Sequence, residues 1–229
     1  MHNDVIKLPL FFSTSQLLKD LDHCKKYDFT DHYNQQDYSG TWTSIALRSS
    51  SGNPEEVFAT ASSSNNYKDT ELLTKCLYFK EIIEGFKCPK LSIRLLNLSA
   101  GSLIKTHTDH NLSYEDKEFR IHIPITTNDL VDFTIGDHKV EMLPGECWYG
   151  DFTLPHSVEN HGNTDRVHLV LDCVRNEWTD TLFKKAGYDF AIKKEHNYDP
   201  DTKAKMIEEL QKMNTPTANQ LITNLQKET

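Results

Sequence analysis

The spacing of apolar residues divides the chain into helical ends around a β-rich middle. Residues 13–27 (STSQLLKDLDHCKKY) carry Leu17, Leu18 and Leu21 on one face behind a Ser or Thr cap, which predicts a helix. Trp42 to Arg48 (WTSIALR) is aromatic and β-branched and runs into Ser-Ser-Ser-Gly, the pattern of a strand followed by a loop. Residues 61–69 read as a second polar loop. After Asp69 and Thr70, either able to cap, ELLTKCLYFKEIIEGFK sets Leu72, Leu73, Cys76, Leu77, Ile83 and Phe86 at helical spacing, with Gly85 and Pro89 near its end. One continuous helix is expected there.

From Leu91 to Val174 the period changes. Short apolar runs separated by Gly, Asn and Asp follow one another: LSIRLLNLS, SLIKTHT, FRIHIPI, VDFTIG, HKVEML, ECWYGD, HSVEN and RVHLVLDCV. Eight such runs predict an antiparallel barrel or jelly roll. Beyond Asn176 helical spacing returns in EWTDTLFKKAG, DPDTKAKMIEELQKM and TPTANQLITNLQKE, where Thr215 caps and Pro216 suits the first turn. The expected organisation is a mainly β domain with flanking helices over 1–175 and a C-terminal helical extension over 176–229.

Composition narrows the function. A chain of 229 residues with 37% hydrophobic content can build one well-buried core. The net charge of −9 is spread along the chain without a basic cluster, which argues against a nucleic-acid partner. Leu8 to Phe12 is a short apolar patch without the features of a secretion signal. No segment reaches the roughly 20 apolar residues of a membrane helix, so a soluble, cytoplasmic protein without a membrane partner is expected. The five cysteines lie far apart with no CxxC pair and read as buried free thiols.

The strongest chemical signal is His107-Thr108-Asp109. Positions i and i+2 of a strand project to one side and can grip one ion. His156 lies in Leu154-Pro155-His156-Ser157, where a later strand can return beside the first. Two imidazoles and a carboxylate form the facial triad typical of iron(II) oxygenases, which leaves positions open for a cosubstrate and O2. Arg166 opens the apolar strand RVHLVLD, and its planar fork matches a carboxylate such as the distal end of 2-oxoglutarate. In Phe119-Arg120-Ile121-His122-Ile123, Arg120 and His122 share the face opposite the apolar residues and can meet carboxylates. Arg48 and Arg94 read equally as surface charges or as anion sites. A lone HxD triplet is weak, and the downstream His156 and Arg166 strengthen it. His110, His138, His161 and His168 read as solvated or packing residues, with His168 free to face outwards, and Trp148 as ordinary core.

With these residues in view, the stretch from about Arg94 to Asp172 resembles the aspartyl/asparaginyl β-hydroxylase family, nearer its bacterial proline hydroxylase branch. The resemblance rests on Gly101 six residues before His107, the HTD triplet, FRIHIPI, PGECWYGDFTLPHSVEN and RVHLVLD, with Trp42–Arg48 and Ser51-Gly52 upstream. It implies a double-stranded β-helix (cupin-like jelly roll). It further implies Fe(II) held by His107, Asp109 and His156, and 2-oxoglutarate clamped by Arg166 with His122 and Arg120. The animal members lack the Asp ligand that Asp109 supplies here. The implied reaction is hydroxylation of an unactivated C–H bond of an amino acid, free or as an aspartyl, asparaginyl or prolyl residue in a peptide. 2-Oxoglutarate would be consumed to succinate and CO2, and Arg120, Arg94 or Arg48 would hold the substrate carboxylate. The competing readings are a cupin-like metal-binding or sensing module without turnover, and a cupin-type isomerase or dioxygenase that uses no oxoacid.

Overall fold

Each of the eight apolar runs between Leu91 and Val174 forms a strand in the computed structural model, which describes residues 3–32, 34–58, 66–192, 200–213 and 215–227. In chain order the elements begin with β1 (Val5–Phe11), α1 (Thr14–Cys24), β2 (Thr30–Asp31), β3 (Tyr38–Ser39), β4 (Trp42–Ser49) and β5 (Lys68–Asp69). Next come α2 (Glu71–Lys75), α3 (Leu77–Gly85), β6 (Lys90–Leu98), β7 (Leu103–His107) and β8 (Glu118–Thr126). β9 (Val131–Ile135), β10 (His138–Lys139), β11 (Glu146–Gly150), β12 (His156–Asn160) and β13 (Arg166–Val174) complete the strands. α4 (Glu177–Lys185), α5 (Pro200–Met213) and α6 (Pro216–Lys227) follow. No helix among the described residues is long and apolar enough to cross a membrane.

The strands form two antiparallel sheets of jelly-roll type. The larger runs β1-β11-β8-β13-β6-β4-β2, with β5 on the β4 edge; the smaller runs β10-β9-β12-β7-β3. The strands at the centre of the large sheet are buried on both faces but use them differently. Ile45 and Leu47 of β4, Ile93 and Leu95 of β6, Phe119, Ile121 and Ile123 of β8, and Leu169 and Leu171 of β13 join the helices in one core. The alternate residues turn to the other face, and they include Arg94, Arg120, His122, Arg166, His168 and Asp172, all buried. A second apolar cluster made of Trp42, Leu98, Ile104, Phe133, Ile135, Phe152 and Val158 brings in the small sheet. The large sheet therefore separates an oily helix-packed core from a polar interior.

Three features differ from the expectations. The apolar patch near the N-terminus is the edge strand β1, paired with β11 through Val5↔Gly150 to Phe11↔Glu146. The expected long helix breaks at Cys76 into α2 and α3. There, buried Asp20 of α1 accepts through Oδ2 from the backbone N–H groups of Tyr78 (2.8 Å) and Phe79 (2.9 Å), a cap supplied from another helix. Asp20→Ala is expected to lower stability by about 2 kcal/mol, because two buried donors lose a charged acceptor. An unchanged urea midpoint in that variant would remove Asp20 from the capping role.

The third difference concerns the tail. The chain divides into units Met1–Asp189 and Phe190–Thr229, so the boundary falls beyond residue 175. α4 belongs to the first unit because Leu182 and Phe183 enter the main core. Its start is fixed by an Asn176–Thr179 capping box. In the second unit α5 and α6 pack on each other, and Thr215 caps α6 through its Oγ1 contact with the Ala218 N–H at 3.1 Å. The polar loop expected over 61–69 falls largely outside the described residues, while its end, Lys68–Asp69, forms β5.

Candidate metal and anion site

β7 and β12 are antiparallel neighbours, and His107 and His156 are register partners across them. This pairing sets the two imidazole centroids 4.2 Å apart. Asp109 lies just past the end of β7, so strand alternation does not place it. Its backbone N–H is instead held by the Phe152 carbonyl at 2.8 Å. One donor atom from each of His107, Asp109 and His156 lies within 4.8 Å of the others.

The hydrogen bonding around the two imidazoles prepares them as ligands. Nδ1 of His107 is 2.8 Å from the Lys105 carbonyl, and Nδ1 of His156 is 2.9 Å from the Leu154 carbonyl. A carbonyl only accepts, so each Nδ1 carries the hydrogen and each Nε2 keeps a free lone pair. Burial pulls the His156 pKa down to about 4, against the raising effect of the Leu154 carbonyl, so the ring is neutral and available at neutral pH. For Asp109, burial works to raise the carboxyl, but Arg120, His156 and His107 together outweigh it and hold it below the usual carboxylate range. Two imidazoles with outward Nε2 lone pairs and one carboxylate on one side of a barrel fit a divalent ion with open positions.

Behind Asp109 lies an ion network. Arg120 donates from Nη1 to Asp109 Oδ2 (2.5 Å), from Nε to Asp172 Oδ1 (2.7 Å) and from Nη2 to Asp172 Oδ2 (3.2 Å). Arg94 donates from Nη2 to the same Asp172 Oδ2 (2.9 Å) and from Nη1 to the Val57 carbonyl (3.0 Å). Arg120 was expected to meet a cosubstrate or substrate carboxylate; it meets two carboxylates of its own chain, and all three of its nitrogens are engaged. Arg94 retains a buried Nε without a hydrogen-bond partner among the described residues. Arg48 pairs with Asp69 (2.5 Å) and the Lys90 carbonyl (3.3 Å), neither of which belongs to this site.

Arg166 is 2% exposed, and among the described residues no carboxylate forms an ion pair with it. Burial alone lowers its pKa to about 9. Its Nη2 donates to Nδ1 of His168 at 3.0 Å, its Nε has no hydrogen-bond partner among the described residues, and its guanidinium lies over Phe133 at 5.0 Å. Together with Phe133, His168, Val140 and Met142 it lines a cavity of about 440 Å³. His168 therefore faces inward rather than outward. A guanidinium cannot accept, so the His168 Nδ1 is the acceptor, and the His122 Nδ1, 3.1 Å from it, is the donor. This leaves Nε2 of His122 as a buried acceptor without a partner among the described residues. Burial, with Arg166 next, holds both rings neutral, their pKa values well below the ordinary histidine range. His122 and Phe152, with ring centroids 4.9 Å apart, stand between Arg166 and His156, whose ring is 5.0 Å from that of Phe152.

The sequence reading missed His32, His168 and Asp172. His32 stacks on Trp42 at 3.6 Å, and the Trp42 ring lies 6.4 Å from that of His107. Burial, followed by Arg94 and His107, lowers the His32 pKa to about 4. No local pattern marks His32. His168 and Asp172, by contrast, continue the period of two that begins at Arg166, and that alternation was visible in RVHLVLD.

A model of the family described as Aspartyl/Asparaginyl beta-hydroxylase matches residues 14–176. The L-proline cis-4-hydroxylase of Rhizobium meliloti (strain 1021) is 29% identical over 164 residues, which are 70% of this chain and 57% of that protein, so the chain spans little more than half of that relative's length. Among solved structures, an oxidoreductase of the 2OG-Fe(II) oxygenase family from Burkholderia pseudomallei aligns with TM-score 0.51 and 14% identity over 75% of this chain and 86% of the other. HygX from Streptomyces hygroscopicus, solved with nickel and 2-oxoglutarate bound, aligns with TM-score 0.50 and 8% identity over 76% and 84%. At these identities the two structures show the shared fold. The family match spans the polar interior face and everything that places the triad, and on it the chain belongs to the aspartyl/asparaginyl β-hydroxylase family.

Proposed function

We propose that the protein is an iron(II)- and 2-oxoglutarate-dependent hydroxylase of an amino acid, with L-proline or a close analogue as the first candidate. The observation that carries this reading is the pairing of a His/Asp/His triad with a buried guanidinium that meets no carboxylate among the described residues. An unpaired buried cation is costly and calls for an anionic ligand. An iron(II) ion held by His107, Asp109 and His156 would, with O2 and 2-oxoglutarate, supply the oxidant that places one oxygen atom in a C–H bond, with release of succinate and CO2.

The chain's own part is to bind, orient and exclude water. Arg166 offers its fork to the distal carboxylate of 2-oxoglutarate, and His168 sets the plane of that fork from behind. His122, a bare acceptor at Nε2, supports His168 and does not pair with a carboxylate directly. Phe133 and Phe152 keep the space between anion clamp and triad apolar. Of Arg120, Arg94 and Arg48, Arg94 is the one with a buried donor unpaired among the described residues, at Nε, which makes it the preferred contact for the substrate carboxylate. The similarity to an L-proline cis-4-hydroxylase supports an amino-acid substrate.

Anaerobically iron-loaded protein, given 2-oxoglutarate and then air, is expected to release succinate in step with a product one oxygen atom heavier when L-proline or a close analogue is present. Succinate release that no member of an amino-acid and peptide panel stimulates would overturn the substrate class.

A further inference from the structure

Asp109 has two oxygens, and a carboxylate that ligates through both occupies two positions of an ion. Arg120 engages Oδ2 with a charge-assisted bond of 2.5 Å. Its guanidinium is not free to withdraw. It is clamped on the opposite side by both oxygens of Asp172, and Asp172 is itself fixed by Arg94, which is tied to the Val57 carbonyl. The clamp is built into the sheet, because Arg120 of β8 and Asp172 of β13 are register partners and Arg94 of β6 pairs with Val170 on the same strand. Arg120 and Asp172 are both deeply buried, with side chains 10% and 4% exposed, so water does not compete for these bonds.

From this geometry we propose that Arg120, braced by Asp172, confines Asp109 to ligation through a single oxygen and so keeps one position of the metal open for 2-oxoglutarate. Arg120 is then a positioning residue. It touches neither cosubstrate nor substrate, and it acts on denticity rather than on the presence of the metal. This inference rests on the reading of the triad as a metal site that takes 2-oxoglutarate.

The test uses cobalt(II) as the metal probe and the full-length chain. Arg120→Met keeps an unbranched apolar stem, removes the guanidinium, and leaves Asp172 paired with Arg94. Its metal affinity is expected to stay within a few-fold of wild type, while the affinity of the cobalt-loaded protein for 2-oxoglutarate falls by roughly tenfold or more. The visible absorption of its cobalt, before 2-oxoglutarate is added, shifts from that of wild type as the second carboxylate oxygen enters. Arg120→Lys, which keeps the charge but cannot span both carboxylates, is expected to move in the same direction and serves if the Met variant does not fold. A folded variant with unchanged 2-oxoglutarate affinity and cobalt spectrum overturns the clamp, as does one that loses metal and 2-oxoglutarate together. Wild-type protein that binds cobalt but not 2-oxoglutarate would instead sink the reading on which the inference rests.

Discussion

Arg166→Met is expected to lose at least roughly 100-fold in affinity for 2-oxoglutarate and, at the same time, to make the ligand-free protein more stable. On the proposed reading, the first effect follows from removing the charged fork that would meet a carboxylate in a buried cavity, a loss of about 3 kcal/mol or more. The second follows from the free protein's electrostatics. Burial holds the Arg166 pKa down to about 9, and no carboxylate among the described residues offsets the charge. A group whose folded pKa lies below its unfolded one binds its proton more weakly in the native state, so near neutral pH the charged Arg166 works against folding. Methionine preserves much of the contact with Phe133 and removes that charge, for an expected gain of about 1–3 kcal/mol. Thermal melts check both signs. Saturating 2-oxoglutarate at about 100 times its Kd should stabilise the wild type by about 2.7 kcal/mol and the variant by little. A variant that is both destabilised and still shifted by 2-oxoglutarate would remove Arg166 from the anion site.

The parts of this molecule legible in the sequence are those set by local periodicity. The eight runs from LSIRLLNLS to RVHLVLDCV alternate strongly enough to declare themselves as strands, and the same alternation put Arg120 and His122 on the face opposite Phe119, Ile121 and Ile123, where the structure has them. His107 and His156 could be matched because antiparallel strands return at predictable spacing. Tertiary contacts decided the rest. Cys76 breaks a helix whose apolar spacing is continuous because Asp20, far away in sequence, caps the second half. Asp109 sits beyond its strand and is placed by the Phe152 carbonyl. Arg120 looked available to a ligand because nothing in FRIHIPI reveals that Asp172 will stand beside it. Arg48 and Arg94 were equivalent as sequence, yet Arg94 meets Asp172 and Arg48 meets Asp69.

Asp172 carries the second large effect. Its carboxylate, 4% exposed, accepts three hydrogen bonds from two buried arginines whose side chains are 7% and 10% exposed. Asp172→Ala leaves Arg94 with the Val57 carbonyl and Arg120 with Asp109 alone, so two desolvated cations share a single carboxylate. Breaking a buried ion network from the anionic side costs about 3–5 kcal/mol, a large fraction of a domain's total stability. The loss should depend on the partners: in an Arg120→Met background only one cation remains to be stranded, and the penalty of Asp172→Ala should shrink by more than 1 kcal/mol, a non-additivity expected of groups in one network. Asp172→Asn keeps the size and one accepting oxygen and should cost less than alanine. Urea unfolding of the four proteins that make up the Arg120 and Asp172 cycle measures the coupling directly. If the two substitutions simply add, the network is not energetically connected, and Arg120 must hold Asp109 without help from the strand behind it.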